Sequence, residues 1–101
     1  MNSNAGWELK IRDRALKDTE KFPKKDQERI TEVVEREIGL NPYLGDIVKI
    51  KGEENSWRRR IGAYRIFYEI IPQEKTIFVF RIERRTSKTY WLKLNNRMFN
   101  N

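Results

Sequence analysis

The stretch NSWRRRIGAYRIFYEI, residues 55 to 70, places a Gly-Ala pair between two segments rich in strand-forming residues. A pair of this kind is typical of the two-residue turn of a β-hairpin. With Gly62 and Ala63 as the turn, the sequence predicts three directly opposed pairs: Ile61 with Tyr64, Arg60 with Arg65, and Arg58 with Phe67. The hairpin therefore fixes which side chains share a face of the sheet.

Successive side chains of a strand point to opposite faces, so the hairpin separates its arginines from its apolar residues. Arg58, Arg60 and Arg65 are predicted to share one open face. The opposite face is predicted to pack on helices through an apolar set: Tyr64, Ile66, Tyr68 and Ile70. Arg59 fits this pattern badly, because the alternation places it on the apolar side.

The segment TIFVFRIERR, residues 76 to 85, is expected to form the next strand. A connection of five residues around Pro72 gives an apolar face of Phe78, Phe80 and Ile82. The open face then receives Arg81, Glu83 and Arg85. A connection of four residues would reverse this assignment, and we let the hydrophobic pattern select the register.

The rest of the chain predicts an α+β fold with two layers. WELKI, residues 7 to 11, reads as a strand, and two helical segments follow, the second from about Lys24 to Ile38. IVKIK, residues 47 to 51, is a further short strand, and residues 90–99 are expected to form a closing helix or strand. We expect residues 1–6 to be a flexible polar leader and residues 7–101 to be one domain, with an N-terminal strand and a helical hairpin packed on a small antiparallel sheet.

The composition limits both partners and chemistry. The 101 residues carry a net charge of +7, which favours polyanionic partners, and no apolar run approaches the length that spans a bilayer. We therefore expect a cytoplasmic protein that does not bind membranes. Histidine and cysteine are absent, which excludes a histidine base, a catalytic triad and a thiolate or histidine metal site. We expect neither a metal nor a cofactor, so catalysis would depend on Arg, Lys, Tyr, carboxylates or Ser/Thr.

The arginines of the open face suggest an RNA backbone as the polyanion. Like charges directly opposite each other destabilise a sheet, and a bound phosphate would relieve that repulsion. Arginine suits this role because its fork can bind two phosphate oxygens at once. Arg81 and Arg84 are further candidates for RNA contact. Lys49 and Lys51 alternate onto one face and either contact RNA or are simply solvated.

The run LKDTEKFP after a first strand, the segment VKIKG, and the core R-x-G-x-Y-R-x-x-Y formed by residues 60 to 68 resemble the RelE/ParE toxin superfamily. The resemblance extends from Trp7 to about Tyr90. It implies a small antiparallel sheet with two N-terminal helices. It also implies the toxin of a type II toxin-antitoxin pair, which cuts mRNA in the ribosomal A site without a metal. In that reaction the 2′-hydroxyl attacks the adjacent phosphate and leaves a 2′,3′-cyclic phosphate.

The resemblance also implies a catalytic set in this chain: Arg58, Arg60, Arg65, Arg85 and Tyr90. Arg58 and Arg60 take the two basic places before the turn, where some members carry lysines. With Arg65 they would hold the phosphate, while Arg85 would stabilise the transition state or the leaving oxygen. Tyr90 would stack on a base, assist proton transfer or pack in the core. Because guanidinium stays protonated, the general base is left open, and Lys49 or Lys51 is one candidate.

The expected partners are a cognate antitoxin, the ribosome with its rRNA, and mRNA. Two alternatives stay open from the sequence. A ParE-like toxin would act on DNA gyrase, a protein target, and would need no phosphate ligands along one face of its sheet. A member without catalytic activity would bind RNA and leave it intact.

Overall fold

A computed structural model describes residues 6–85 as a five-stranded sheet with helices packed on one face. The helices are α1 (Asp13–Thr19) and α2 (Lys24–Val33), and a π-helical turn (Val34–Ile38) continues α2. The strands are β1 (Glu8–Ile11), β2 (Ile47–Lys49), β3 (Ser56–Ile61), β4 (Tyr64–Ile71) and β5 (Thr76–Arg84). The α+β class is therefore confirmed. The closing element expected at residues 90–99 lies outside the described residues, and the single-domain boundary at residue 7 stays a prediction.

The sheet has the strand order β1-β5-β4-β3-β2 and is mixed. Strands β2 to β5 pair antiparallel, whereas β1 lies parallel to β5 at one edge. The prediction of a purely antiparallel sheet is wrong for this one strand. An alternating pattern identifies a strand but does not give its direction against a partner that is distant in sequence.

The predicted hairpin register is confirmed at all three opposed pairs. Gly62 opens the turn with a φ of +58°, in the left-handed region that glycine adopts without steric cost. The apolar face of β4 is buried as expected, with Ile66, Tyr68 and Ile70 all at most 1% exposed. This register places the arginines of β3 and β4 on the side opposite the helices.

The predicted faces of β5 are wrong in its first half. β4 ends at Ile71 and β5 begins at Thr76, so the connection has four residues instead of five. Ile77 and Val79 consequently enter the core, and Phe78 and Phe80 lie on the open face. A β-bulge then restores the predicted parity, because Val79 pairs with Tyr68 while Arg81 pairs with Phe67. Beyond the bulge, Ile82 is buried as predicted.

The core lies between the apolar face of the sheet and α2 with its π-helical continuation. Its residues from the helices are Ala15, Ile30, Val33, Val34 and Ile38. Arg59 also points into this layer, where its side chain is 12% exposed and its guanidinium forms an ion pair with Glu37. The pair explains how a charge is tolerated on the apolar side of β3. Neither helix within residues 6–85 has the length and apolar character needed to cross a membrane.

Asp18 of α1 covers the free edge of β5 beyond its pairing with β1. That pairing reaches only to Val79, and the Asp18 carboxylate accepts a hydrogen bond of 2.8 Å from the N–H of Ile82. The same carboxylate lies 3.1 Å from the guanidinium of Arg14 and 3.8 Å from that of Arg81. An unpaired strand edge is open to non-native pairing, so this contact both satisfies a donor and shields the edge.

Two substitutions of Asp18 should distinguish the stability that comes from its hydrogen bond to the Ile82 N–H from the stability that comes from its negative charge. Asp18→Ala leaves the Ile82 N–H without its acceptor, and we expect the free energy of unfolding in urea to fall by about 1–3 kcal/mol. Asp18→Asn keeps an acceptor oxygen and should lose less than half as much. Amide hydrogen exchange at Ile82 should accelerate in the alanine variant only. Equal losses in both variants would assign the stabilisation to the arginine pairs instead.

Tyr68 ties the sheet to the loop after the π-helical turn. Its side chain is fully buried, and its hydroxyl donates a hydrogen bond of 2.7 Å to the Pro42 carbonyl. Burial raises the pKa of Tyr68 to about 12, although the nearby Arg59 acts in the opposite direction. The hydroxyl is therefore a structural donor that stays protonated at neutral pH.

Tyr68→Phe should lower the free energy of unfolding by about 1–2 kcal/mol at pH 7, because the Pro42 carbonyl loses its donor. Tyr43→Phe, at a side chain that is 46% exposed, is the control and should change stability by less than about 0.5 kcal/mol. Between pH 10 and about 12 the unfolded tyrosine ionises while the folded one does not. The contribution of Tyr68 to the free energy of unfolding is thus complete below pH 10 and is lost as the pH rises towards about 12. The wild type should lose more stability over that window than Tyr68→Phe, and parallel curves would contradict the assignment.

Candidate functional site

Three arginines share the open face of the sheet, as predicted. Arg58 and Arg60 lie on β3, and Arg65 lies on β4 directly opposite Arg60. Residues directly opposite in an antiparallel pair have their Cβ atoms about 4.5–5.5 Å apart, so the two guanidinium groups can reach one anion. We call Arg58, Arg60 and Arg65 the arginine cluster.

The arginine cluster carries little compensating charge. Among the residues that the structure describes, Arg58 and Arg65 form no ion pair. Arg60 lies 3.6 Å from Asp46, but both side chains are more than 60% exposed, and such surface pairs contribute little. Glu83 lies opposite Arg65 on β5. The cluster therefore presents positive charge with the planar donor geometry that binds phosphate oxygens.

Arg81 lies beside the cluster, and its charge is already balanced. Its guanidinium is 3.5 Å from Glu83 and 3.8 Å from Asp18, at the bulge of β5. Its Nε is buried and has no hydrogen-bond partner in the part of the chain that the structure describes. Arg81 thus borders the open face, as predicted, while part of its side chain belongs to the α1–β5 contact.

The other predicted site residues occupy different places. Arg84 pairs with Tyr64 and lies over its ring at 5.7 Å, on the helix side of the sheet. Arg85 follows β5, and its backbone N–H donates to the Ala63 carbonyl at 2.6 Å, which anchors the end of β5 to the hairpin turn. Tyr90 lies outside residues 6–85. The structure therefore brings Arg85 near the turn and keeps Arg84 away from the arginine cluster.

The two lysines of the VKIKG segment do not join the cluster. Lys49 pairs with Trp57, so it lies on the helix side of the sheet, opposite to Arg58. Lys51 follows β2 in a turn and is exposed. The two lysines therefore do not share a strand face, because β2 ends at Lys49.

Tyr64 is a core residue, as its neighbours in the sequence suggested. It is 7% exposed, packs on Phe22 with ring centroids 4.7 Å apart, and donates its hydroxyl to Asp26. Burial and the hydrogen bond to Asp26 raise the pKa of Tyr64, and the charge of Arg84 partly opposes them. A phenol held protonated in the helix layer is structural and takes no part in the open face.

A cleft of about 440 Å³ adjoins the arginine cluster on the open face. Its walls come from the β2–β3 connection, the start of β3, β4 and β5. Its lining residues are Ile50, Glu53, Ser56, Phe67, Phe80, Arg81 and Glu83. The sequence missed this cleft because Phe80 was assigned to the core. The run IFVF, residues 77 to 80, already indicated that the assignment was ambiguous, because four consecutive apolar residues allow either alternate pair to face the core.

Comparisons with known proteins agree with this fold. Residues 9–88 match the family described as “ParE toxin of type II toxin-antitoxin system, parDE”. The RelE1 protein of Methanocaldococcus jannaschii is 29% identical over 82 residues, which cover 78% of this chain and 90% of that protein.

Two solved structures extend the comparison. The RelB-RelE antitoxin-toxin complex from Methanococcus jannaschii contains a chain that is 32% identical, with a TM-score of 0.62 and coverage of 81% of this chain and 96% of that one. The RelBE2 toxin-antitoxin complex from Mycobacterium tuberculosis shares the fold, with a TM-score of 0.73 at 19% identity over 84% of this chain and 98% of that one. The chain described here is a member of the RelE/ParE superfamily of type II toxins.

Proposed function

We propose that this toxin is a ribosome-dependent endoribonuclease that cuts mRNA in the ribosomal A site and so inhibits translation. The observation that carries the proposal is the arginine cluster, in which Arg58 and Arg65 lie partly exposed on one strand pair and form no ion pair among residues 6–85. A binder of a protein surface gains nothing from a repulsive pair such as Arg60 opposite Arg65. A phosphate between them removes the repulsion.

The reaction that fits these residues is an internal transesterification. The 2′-hydroxyl oxygen bonds to the adjacent phosphorus and releases its proton, and the P–O5′ bond breaks. The leaving 5′-oxygen takes up one proton in exchange, so the products end in a 2′,3′-cyclic phosphate and a 5′-hydroxyl with no net change in protons. No water, metal or cofactor enters this balance. Arg58, Arg60 and Arg65 would neutralise the phosphate and its dianionic transition state, which is commonly the largest catalytic contribution. Arg85 and Tyr90 complete the proposed set at the leaving oxygen and the neighbouring base.

The proton of the 2′-hydroxyl needs an acceptor other than arginine. A guanidinium group has no free electron pair to accept a proton, whereas a carboxylate does. Glu83 lies opposite Arg65 on the open face, and its side chain is 39% exposed. Lys49 is a weaker candidate, because it lies on the other side of the sheet. We assign the acceptor role to Glu83.

The partners proposed for the toxin are a cognate antitoxin, the ribosome and mRNA in the cytoplasm. Several of the solved relatives are complexes of a toxin with its antitoxin. Val48 is an exposed apolar residue on the edge strand β2, and Leu40 and Leu44 in the loop before that strand are also exposed, so an added strand or helix could pack there. The net charge of +7 gives binding to rRNA a strong dependence on salt. Lys51 and Arg84 are proposed to contribute to this wider attraction.

A second candidate function is inhibition of DNA gyrase, which the ParE description of the matching family favours. The two functions differ in their products. An endoribonuclease leaves new mRNA ends in phase with codons and with cyclic phosphate termini. A gyrase toxin leaves mRNA intact and traps gyrase on cleaved DNA. A member that only binds RNA produces neither signal.

Arg65→Ala and Arg58→Ala should each lower the rate of mRNA cleavage by about 100- to 1,000-fold in a purified translation system, because each removes a donor to the phosphate. Arg85→Ala should act similarly. The measurement is the yield of new mRNA ends mapped by primer extension. Arg29→Ala is the matched control, since it removes the same charge from the exposed face of α2, where Arg29 pairs with Glu32.

Wild-type cleavage by Arg65→Ala would contradict the assignment of the cluster, provided that circular dichroism shows a folded variant. Loss of cleavage in Arg29→Ala to the same degree would show that net charge alone matters. Intact mRNA together with gyrase trapped on DNA would replace the proposal by the second candidate.

Glu83→Gln should lower the cleavage rate by about 100-fold or more, because an amide cannot accept the 2′-hydroxyl proton. The affinity for ribosomes should change little. Glu69→Gln, at another open-face carboxylate on β4, is the control and should retain activity. An active Glu83→Gln variant would transfer the role of acceptor to another group, and Tyr90→Phe is then the next variant to measure.

A further inference from the structure

Phe67 and Phe80 form an aromatic pair on the open face of the sheet. Their ring centroids are 6.2 Å apart and their planes are inclined at 45°. Both side chains are half-buried, and both line the cleft of about 440 Å³. No helix covers this face within residues 6–85, because α1 and α2 pack on the other one. Two phenylalanines on such a face form an apolar surface without an intramolecular role in the core.

Phe78 gives an instructive contrast on the same face of the same strand. Its ring is covered by two cations, with the Arg12 guanidinium at 4.4 Å and the Lys10 ammonium at 5.6 Å from its centroid. Its neighbour across the strand pair is Glu69. Phe78 therefore has partners within the chain, whereas the cleft beside Phe67 and Phe80 is open.

The aromatic pair lies directly beside the groups that bind phosphate. Phe67 is opposite Arg58 on β3 and opposite Arg81 on β5, and it follows Arg65 by two residues on β4. All four side chains share the open face, and each of the three arginines lies within about 5–8 Å of Phe67 at Cβ. A strand of RNA held at the cluster would thus pass the aromatic pair within the reach of one nucleotide.

The polar residues of the cleft select an uncharged group. Glu53, Glu83 and Arg81 line it together with the aromatic pair. Because Arg81 is already paired with Glu83 and Asp18, Glu53 leaves the cleft with a net negative charge that disfavours a phosphate. The arginine cluster attracts phosphate, and the adjoining cleft presents the rings of Phe67 and Phe80. This division matches a nucleotide, whose phosphate and base have opposite preferences. Sheet faces that bind single-stranded RNA commonly stack its bases on exposed aromatic side chains.

We propose that the cleft formed by Phe67 and Phe80 is a stacking subsite for a nucleobase of single-stranded RNA, next to the phosphate held by the arginine cluster. The inference rests on the proposed function, since it requires RNA at the cluster. It assigns a role in RNA binding to Phe67 and Phe80, which the arginine cluster alone does not imply. A volume of about 440 Å³ suits a group of this size.

The test measures binding of short single-stranded oligonucleotides to the full chain by fluorescence anisotropy at low salt. The probe is 2′-O-methyl oligoadenylate labelled with fluorescein, which lacks the attacking hydroxyl and stays intact. A second probe has the same backbone with abasic residues. The wild type should bind the abasic probe about tenfold more weakly, because stacking contributes about 1–3 kcal/mol per base.

Phe67→Leu and Phe80→Leu should each weaken binding of the adenylate probe by about tenfold and bind both probes nearly alike. Phe78→Leu is the matched control and should keep the wild-type preference for bases. Circular dichroism checks the fold of each variant. The comparison of the two probes on the wild type does not depend on any variant.

Equal binding of both probes by the wild type would overturn the subsite, and so would unchanged affinity in folded Phe67→Leu and Phe80→Leu. If the cleft instead bound a side chain of a protein partner, the affinity for RNA would be unchanged in these two variants. No measurable binding of either probe at low salt would also overturn it. The mRNA-cleavage assay with Arg65→Ala decides the proposed function separately, since it can succeed when the stacking subsite fails.

Discussion

The antiparallel pairing of β3 with β4 through the Gly62-Ala63 turn is the constraint on which the rest of the structure depends. Its register places Ile66, Tyr68 and Ile70 against the helices. A shift by one residue would exchange the two faces and bury the arginine cluster in the core. Burial of the apolar set and exposure of the guanidinium groups therefore support the same register. The core and the candidate site are two consequences of one pairing.

The concentration of positive charge on the open face destabilises the sheet. Arg60 opposite Arg65 is an unfavourable pair, and Arg58 has no acid beside it among residues 6–85. By contrast, the charge of Arg59 is paired with Glu37, and that of Arg81 with Asp18 and Glu83. Arginines on the helix side and at the α1–β5 contact are thus paired with acids, whereas Arg58 and Arg65 on the open face form no ion pair among residues 6–85. Charge left uncompensated on one face is typical of a surface that meets a polyanion.

Family membership establishes the fold and the class of toxin, whereas the choice of target depends on individual side chains. Membership of the RelE/ParE superfamily defines the sheet and the helical layer, and it identifies the chain as a toxin of a type II system. It does not decide between mRNA and gyrase. The proposal of mRNA as the target rests on particular side chains instead: the guanidinium groups of the arginine cluster, a carboxylate opposite Arg65, and an aromatic cleft next to both.

The sequence by itself determined the two helices, the β3–β4 register and the common face of Arg58, Arg60 and Arg65. Helical periodicity fixes the first, and strand alternation with a tight turn fixes the other two. Only the tertiary structure decided the parallel placement of β1 and the four-residue connection before β5, which turned Phe80 outward. It also supplied the bulge that returned Ile82 to the core and the contacts of Asp18 and Glu37 with distant strands. These features arise from contacts between residues far apart in the chain. A one-residue change in loop length inverts a strand without altering its pattern, so periodicity alone could not reveal them.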